Sequence, residues 1–217
     1  MKFAQPLPTD IADRYKGWRD AGYAPRQAQY ETLADEGQTP SALVIGCVDS
    51  RVQIEGLLGA EPGDFFVHRN IANLVPPFVP GGSYQGTPAA VQFAVAVMGV
   101  SRVIVVGHSQ CGGVKGCHDM CSGAAPALEA EDSFVGRWVD ILRPGYERVA
   151  AAGGDADAQL KALEAQAVIV SLENLMTYPF VAEKVEAGTL TLHGLSINIR
   201  SGELTQYDAE SGAFQAV

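Results

Sequence analysis

The sequence predicts an α/β fold: a mainly parallel β-sheet flanked by helices, with an N-terminal helical arm and a closing C-terminal hairpin. Three observations carry this. Two apolar, β-branched runs, Ser41-Ala42-Leu43-Val44-Ile45-Gly46 and Arg102-Val103-Ile104-Val105-Val106-Gly107, each end at glycine. Such runs are the habit of strands buried on both faces, as in parallel sheets. Helical patterns lie between them, and the chain closes on two strand-like runs, Thr189 to Ile199 and Glu203 to Asp208, joined by Arg200-Ser201-Gly202.

Taken in order, Thr9-Asp10 offers a cap for a helix over Ile11 to Asp20, and Pro25 opens a second helix running to Glu36. These helices precede the sheet and can reach toward another subunit. The first strand leads to Cys47. A short helix over Gln53 to Leu58 follows, then the turn Glu61-Pro62-Gly63-Asp64 and a strand at Phe65 to His68. The stretch from Asn70 to Gly86 is rich in Pro and Gly and too long for a simple connection, a place where function concentrates. Thr87-Pro88 opens a helix through Met98, apolar nearly all round and therefore expected to be buried. The next strand delivers His108, and Gly112-Gly113 leads into a helix bearing Lys115, Cys117, His118 and Cys121. Further helices are expected at Ser133 to Leu142, Gly145 to Ala152 and Asp157 to Glu173, with turn and helix over Asn174 to Gly188. No repeat or linker divides the chain, so residues 1–217 read as one domain, a helical arm (1–37) on an α/β core (38–217).

Composition narrows the function. The 217 residues are 47% hydrophobic and 18% charged, enough apolar content for a substantial core. The net charge of −10 and the lack of a basic cluster make nucleic acid and anionic membranes poor partners. No apolar run reaches membrane-spanning length, and Met1-Lys2-Phe3-Ala4-Gln5-Pro6 has neither a signal-peptide core nor an Arg-rich transit pattern. A cytoplasmic location is the expectation. Four cysteines, at 47, 111, 117 and 121, fit metal binding better than a disulfide framework in a reducing compartment.

The chemistry gathers where the two buried strands end. Cys47-Val48-Asp49-Ser50-Arg51 follows the first and His108-Ser109-Gln110-Cys111 the second. Ligands of open α/β sheets sit beyond the carboxyl ends of strands, so both segments reach one crevice. Two Cys and one His form a catalytic zinc set that leaves a fourth position open. Other readings are weaker. A four-cysteine zinc through Cys47, Cys111, Cys117 and Cys121 wastes His108 and explains neither Asp49 nor Arg51. Gly107-His108-Ser109-Gln110-Cys111 nearly spells a serine-hydrolase elbow, but a cysteine replaces the closing glycine, His193 would have to be the base, and no His-Gly-Gly segment accompanies it. His68, His118 and His193 read as structural.

At these residues the chain resembles the β-class carbonic anhydrases. Cys-x-Asp-x-Arg and His-x-x-Cys-Gly-Gly are met by Cys47, Asp49, Arg51, His108, Cys111, Gly112 and Gly113, and the similarity takes in Phe66-Val67-His68-Arg69-Asn70-Ile71-Ala72-Asn73. The resemblance implies one zinc per chain on Cys47, His108 and Cys111, Asp49 and Arg51 as catalytic residues, and reversible CO2 hydration to bicarbonate. It implies an active site at a dimer interface, in a dimer or a dimer of dimers. Substrate binding would fall to Gln38, nine positions before Cys47, to Phe66 and Phe93, and to the N–H of Gly112. Phe93 stands where relatives often carry tyrosine. Some members bind bicarbonate at a non-catalytic site through Trp, Arg and Tyr; here Arg69 is kept, but Val44 and Ile197 stand in the other places, so that site is expected to be absent.

The residues suit the reaction. Zinc lowers the pKa of bound water toward about 7, but two thiolates cancel its charge and weaken the effect. Asp49 compensates by accepting a hydrogen bond from the resulting hydroxide. Arg51 holds Asp49 ionised and off the metal. No histidine is placed as a proton shuttle, so transfer to buffer is expected to limit the rate. Related readings are hydrolysis of carbonyl sulfide or carbon disulfide, and a non-catalytic protein in which Asp49 closes the site.

Overall fold

In the computed structural model, which describes residues 3–82 and 86–217, the chain forms two compact units, Met1–Thr39 and Pro40–Val217. Of the expected loop from Asn70 to Gly86, residues 83–85 lie outside the described residues. The first unit holds helices α1 (Thr9–Trp18) and α2 (Gln27–Glu36), joined through a π turn (Arg19–Tyr23) and a 3-10 turn (Ala24–Arg26). Neither Thr9 nor Asp10 caps α1: Pro8 precedes it without a side-chain bond. The unit has no buried residue in either helix. An aromatic cluster ties its two halves, with Tyr23 stacked on Tyr30 at 5.0 Å and Trp18 in contact with both.

The second unit is built on six strands: β1 (Ala42–Cys47), β2 (Phe65–Asn70), β3 (Arg102–His108), β4 (Thr191–Ile197), β5 (Leu204–Asp208) and β6 (Ala213–Ala216). Between them run α3 (Ile54–Leu57), α4 (Gly86–Gln92), α5 (Gly112–Cys121), α6 (Phe134–Val139), α7 (Arg143–Ala152), α8 (Ala156–Leu175) and α9 (Pro179–Glu186). The sheet order is β2-β1-β3-β4-β5-β6. The first four strands are parallel and the last two antiparallel, so the closing hairpin gains a third strand. From β1 the chain moves to β2 on one side and to β3 on the other. The crevice between the carboxyl ends of β1 and β3 is therefore the switch point where such sheets hold ligands.

All six residues of β1 are buried, as its unbroken apolar sequence requires. Leu43, Ile45, Val103 and Val105 face a core completed by Val168, Leu175 and Tyr178. Val44 and Val106 face the opposite layer with Val52, Ile54 and Ile197. Each such side chain contributes about 1.5–3 kcal/mol by leaving water. Helix α8 crosses closest at Gly107, where a Cβ would lie only 2.6 Å from Val168 Cγ2; no larger residue fits. The helix expected through Met98 is α-helical to Gln92 and π-helical over Phe93–Val97. It is not buried all round: Phe93 is 49% and Val97 68% exposed, because they share the outer face of the helix with Ala89, Gln92 and Ala96.

Candidate metal centre and active site

Cys47 ends β1 and His108 ends β3, and these strands are parallel neighbours with Gly46 opposite Val106, so the two side chains emerge at one level. Cys111 sits three residues beyond His108, at the extended position just before α5. The segment turns back because Gln110 adopts a left-handed conformation, φ +57°. Gly113 lets α5 begin against the loop after β2: a Cβ there would lie 2.5 Å from Ile71 Cγ2. In consequence the ligand atoms of Cys47, His108 and Cys111 all lie within 4.8 Å of one another, and all three residues are buried.

The donors are prepared for a cation. Nδ1 of His108 lies 2.9 Å from the Ser109 carbonyl, which assigns the proton to Nδ1 and leaves the Nε2 lone pair free. Nε2 is buried with no hydrogen-bond partner among the described residues. A buried, unpartnered nitrogen is costly unless something binds it. The sulfurs of Cys47 and Cys111 stand 3.9 Å apart. Bonding from the Cys111 thiol pulls Cys47 down, against burial, with further help from His108 and the N–H groups of Asp49 and Ala72. Cys111 moves up for the reciprocal reason and because it is buried. The Ala72 N–H lies 3.4 Å from the Cys47 sulfur, and Ala72 is itself left-handed, φ +62°. Two soft sulfurs and an imidazole in this geometry fit zinc, with a fourth position left for water or substrate.

Asp49 and Arg51 stand beside these ligands. Arg51 Nε donates to Asp49 Oδ1 at 2.9 Å and Nη2 to Oδ2 at 2.7 Å, and the Arg51 backbone N–H donates to Oδ1 at 3.0 Å. This fork holds the Asp49 carboxyl well below the usual carboxylate range. Asp49 Oδ2 lies 4.0 Å from His108 Nε2, within reach of a group bound at the fourth position.

Sequence reasoning missed the supporting roles of three residues. Arg69 donates from Nε to the Cys47 carbonyl (2.8 Å) and from Nη2 to those of Asp49 (2.8 Å) and Val52 (2.9 Å). Ser171, fully buried on α8, accepts the Val75 N–H at 3.1 Å and approaches the Asn73 carbonyl at 3.1 Å. Glu164, also on α8, accepts the Gln110 N–H at 2.5 Å. Only Arg69 carried a signal, its place in the shared segment after Phe66.

Of the other sequence-derived residues, Gly112 directly follows the ligand Cys111, whereas Phe66 lies away from the ligands along its strand. Phe66 and Phe93 meet edge to face, with centroids 5.7 Å apart. Phe66 is opposite Leu43, four residues before Cys47, or about 13 Å along the strand. Gly112 opens α5. Gln38 belongs to the first unit. Cys117 and Cys121 lie one turn apart on α5 with sulfurs at 3.9 Å, and burial pushes the Cys117 thiol up. Ser109 Oγ accepts the Ile199 N–H, and His193 bonds Thr191, so neither serves a hydrolase elbow.

Fold and centre together define a β-class carbonic anhydrase, and the chain belongs to that family. The family model for carbonic anhydrase matches residues 42–204. A curated relative, β carbonic anhydrase 5, chloroplastic, of Arabidopsis thaliana, is 38% identical over 190 residues, 85% of this chain. The chain spans 60% of that relative's length. Among solved structures, the β-carbonic anhydrase CcaA superposes with a TM-score of 0.85 at 29% identity, over 96% of this chain and 91% of that one. A tetrameric β-carbonic anhydrase of Sordaria macrospora superposes with a TM-score of 0.74 at 27% identity, over 96% and 98%. Among the described residues no helix is long and apolar enough to cross a membrane.

Proposed function

We propose that this protein catalyses the reversible hydration of CO2 to bicarbonate and a proton, using one zinc ion per chain. The observation that carries the reading is the convergence of Cys47, His108 and Cys111 beside an Asp49 whose two oxygens are both held by Arg51. Zinc supplies there the Lewis acidity that makes water a nucleophile at neutral pH. Cys47 and Cys111 hold it as thiolates and His108 through Nε2. Asp49, kept ionised by Arg51, accepts a hydrogen bond from the nucleophile and turns its lone pair toward the carbon of CO2. The N–H of Gly112 donates to a substrate oxygen. The released proton passes to buffer, since among the described residues the histidine beside Asp49 is the ligand His108.

The catalytic unit in this reading is a homodimer or a dimer of dimers. Phe66 lies too far along its strand to serve its own metal, and with Phe93 packed against it this pair suits the apolar wall of a neighbour's CO2 pocket, with Gln38 contributing across the same interface. The whole chain, residues 1–217, then acts as one functional domain, arm 1–37 on core 38–217. Arg69 is committed to three carbonyls, and Val44 and Ile197 are buried; these support the absence of a non-catalytic bicarbonate site. Four free thiols suit a cytoplasmic setting.

The test is stopped-flow CO2 hydration between about pH 6.5 and 9, with zinc measured on the same sample. Activity rising with pH at one zinc per chain is expected. A zinc-loaded protein inert toward CO2 throughout the range would remove the reading, and turnover of carbonyl sulfide instead would replace it.

A further inference from the structure

Glu164 stands on α8 one turn before Val168, the residue that packs against Gly107. That close crossing brings its carboxylate under the turn between His108 and Cys111, where Oε1 accepts the Gln110 N–H at 2.5 Å. Gln110 is left-handed, φ +57°, a conformation that disfavours a non-glycine residue by about 1–2 kcal/mol and so needs outside support. The carbonyl of this same Gln110 accepts from Arg51 Nη2 at 3.0 Å. Arg51 in turn forks onto Asp49, whose Oδ2 is 4.0 Å from His108 Nε2. Hydrogen bonds thus run without a break from Glu164 through Gln110 and Arg51 to Asp49.

We infer that Glu164 is a positioning residue for Asp49: by holding the Gln110 N–H it keeps the turn left-handed, aims the Gln110 carbonyl at Arg51, and so fixes the guanidinium that orients the Asp49 carboxylate. The carboxylate is suited to this because its charge strengthens the bond it accepts from the Gln110 N–H. Arg51 is half-exposed, and without the Gln110 carbonyl its fork is free to swing with Asp49. The consequence for turnover rests on the carbonic anhydrase reading; the consequence for the turn does not.

The experiment compares Glu164→Gln, whose amide oxygen still accepts, with Glu164→Met, of similar length and without an acceptor, each with and without zinc. Amide exchange at Gln110, read by NMR, is expected to accelerate about tenfold or more in Glu164→Met and to stay within about threefold in Glu164→Gln. The Arg51 Nε–H resonance should shift in the Met variant only. In the zinc-loaded enzyme kcat should fall by about tenfold to a hundredfold with KM within about twofold, and Glu164→Gln should restore most of it. A folded Glu164→Met with unchanged Gln110 exchange and an unchanged Arg51 signal overturns the inference. So does Glu164→Gln falling as far as Met. Should Met fail to fold, Glu164→Asp, one methylene too short to reach, carries the same expectations. If the parent protein does not hydrate CO2, the exchange and Arg51 signals still decide the role of Glu164, separately from the function.

Discussion

The guanidinium of Arg69 is tied to the main chain of a metal ligand: its Nε donates to the carbonyl oxygen of Cys47 over 2.8 Å. The Asp49 and Val52 carbonyls take the other two bonds. Strand β2 thereby clamps the loop that carries Cys47, Asp49 and Arg51. Arg69→Met should lower stability by roughly 2 kcal/mol, allowing for its partial exposure, and weaken zinc binding. Urea unfolding and chelator competition check both. Arg69→Lys should recover little, because a single ammonium cannot span three carbonyls.

Asp49→Asn should retain one zinc per chain while CO2 hydration drops by on the order of a hundredfold or more. The amide keeps the shape but offers an N–H where a lone pair is needed. Metal analysis and stopped-flow kinetics on one preparation decide it; near-parental turnover would take Asp49 out of the mechanism.

Ser171→Ala should cost about 1–3 kcal/mol. The hydroxyl is the buried acceptor of the Val75 N–H, and alanine leaves that donor unpaired. A fall in melting temperature of about 2–4 °C per kcal/mol is expected for a chain of this size.

His68, bonded through Nε2 to Thr87 Oγ1 at 2.9 Å, is held below the usual histidine range by burial. A folded-state value that is lowered means the unfolded chain takes up the proton first. The contribution of His68 to stability is therefore complete above about pH 6.5 and is lost as pH falls from there toward the lowered folded value. Denaturation series between about pH 7 and 5 should show a shallower decline for His68→Gln than for the parent; identical slopes would contradict this.

Stripping zinc should lower the melting temperature strongly, because the ligands gain nothing in the unfolded chain that matches the built site. At free zinc a thousandfold above Kd the linkage amounts to about 4 kcal/mol. Calorimetry with and without chelator measures it.

The sheet and the metal ligands were legible because each rests on a local pattern. Val44-Ile45 and Val103 to Val106 are β-branched and unbroken, and Cys47 and His108 fall where those runs stop. The supporting residues were not. Glu164 and Ser171 sit inside a 20-residue helix whose sequence treats them as any polar residues between apolar ones. Only the crossing of that helix over Gly107 makes them neighbours of the site. Strand β6, Ala213-Phe214-Gln215-Ala216, is too short to show alternation and exists by pairing with β5. Phe93 and Val97 misled because an apolar helix reads as interior, and an all-apolar sequence does not say which of its faces the core covers.

Ala72, Asn73 and Gln110 are the non-glycine residues with positive φ among those described, and all three flank the metal ligands. Elsewhere the chain places glycine at such angles. Glycine at any of the three would relax the backbone by about 1 kcal/mol, yet would also loosen the loops that aim Ala72 at the Cys47 sulfur and Gln110 at Arg51. Thermal hardening and catalytic accuracy therefore pull in opposite directions at these positions. An engineer seeking a tougher scaffold would do better to work on the exposed face of α8 or the tip of the closing hairpin, leaving the strained turns as they are.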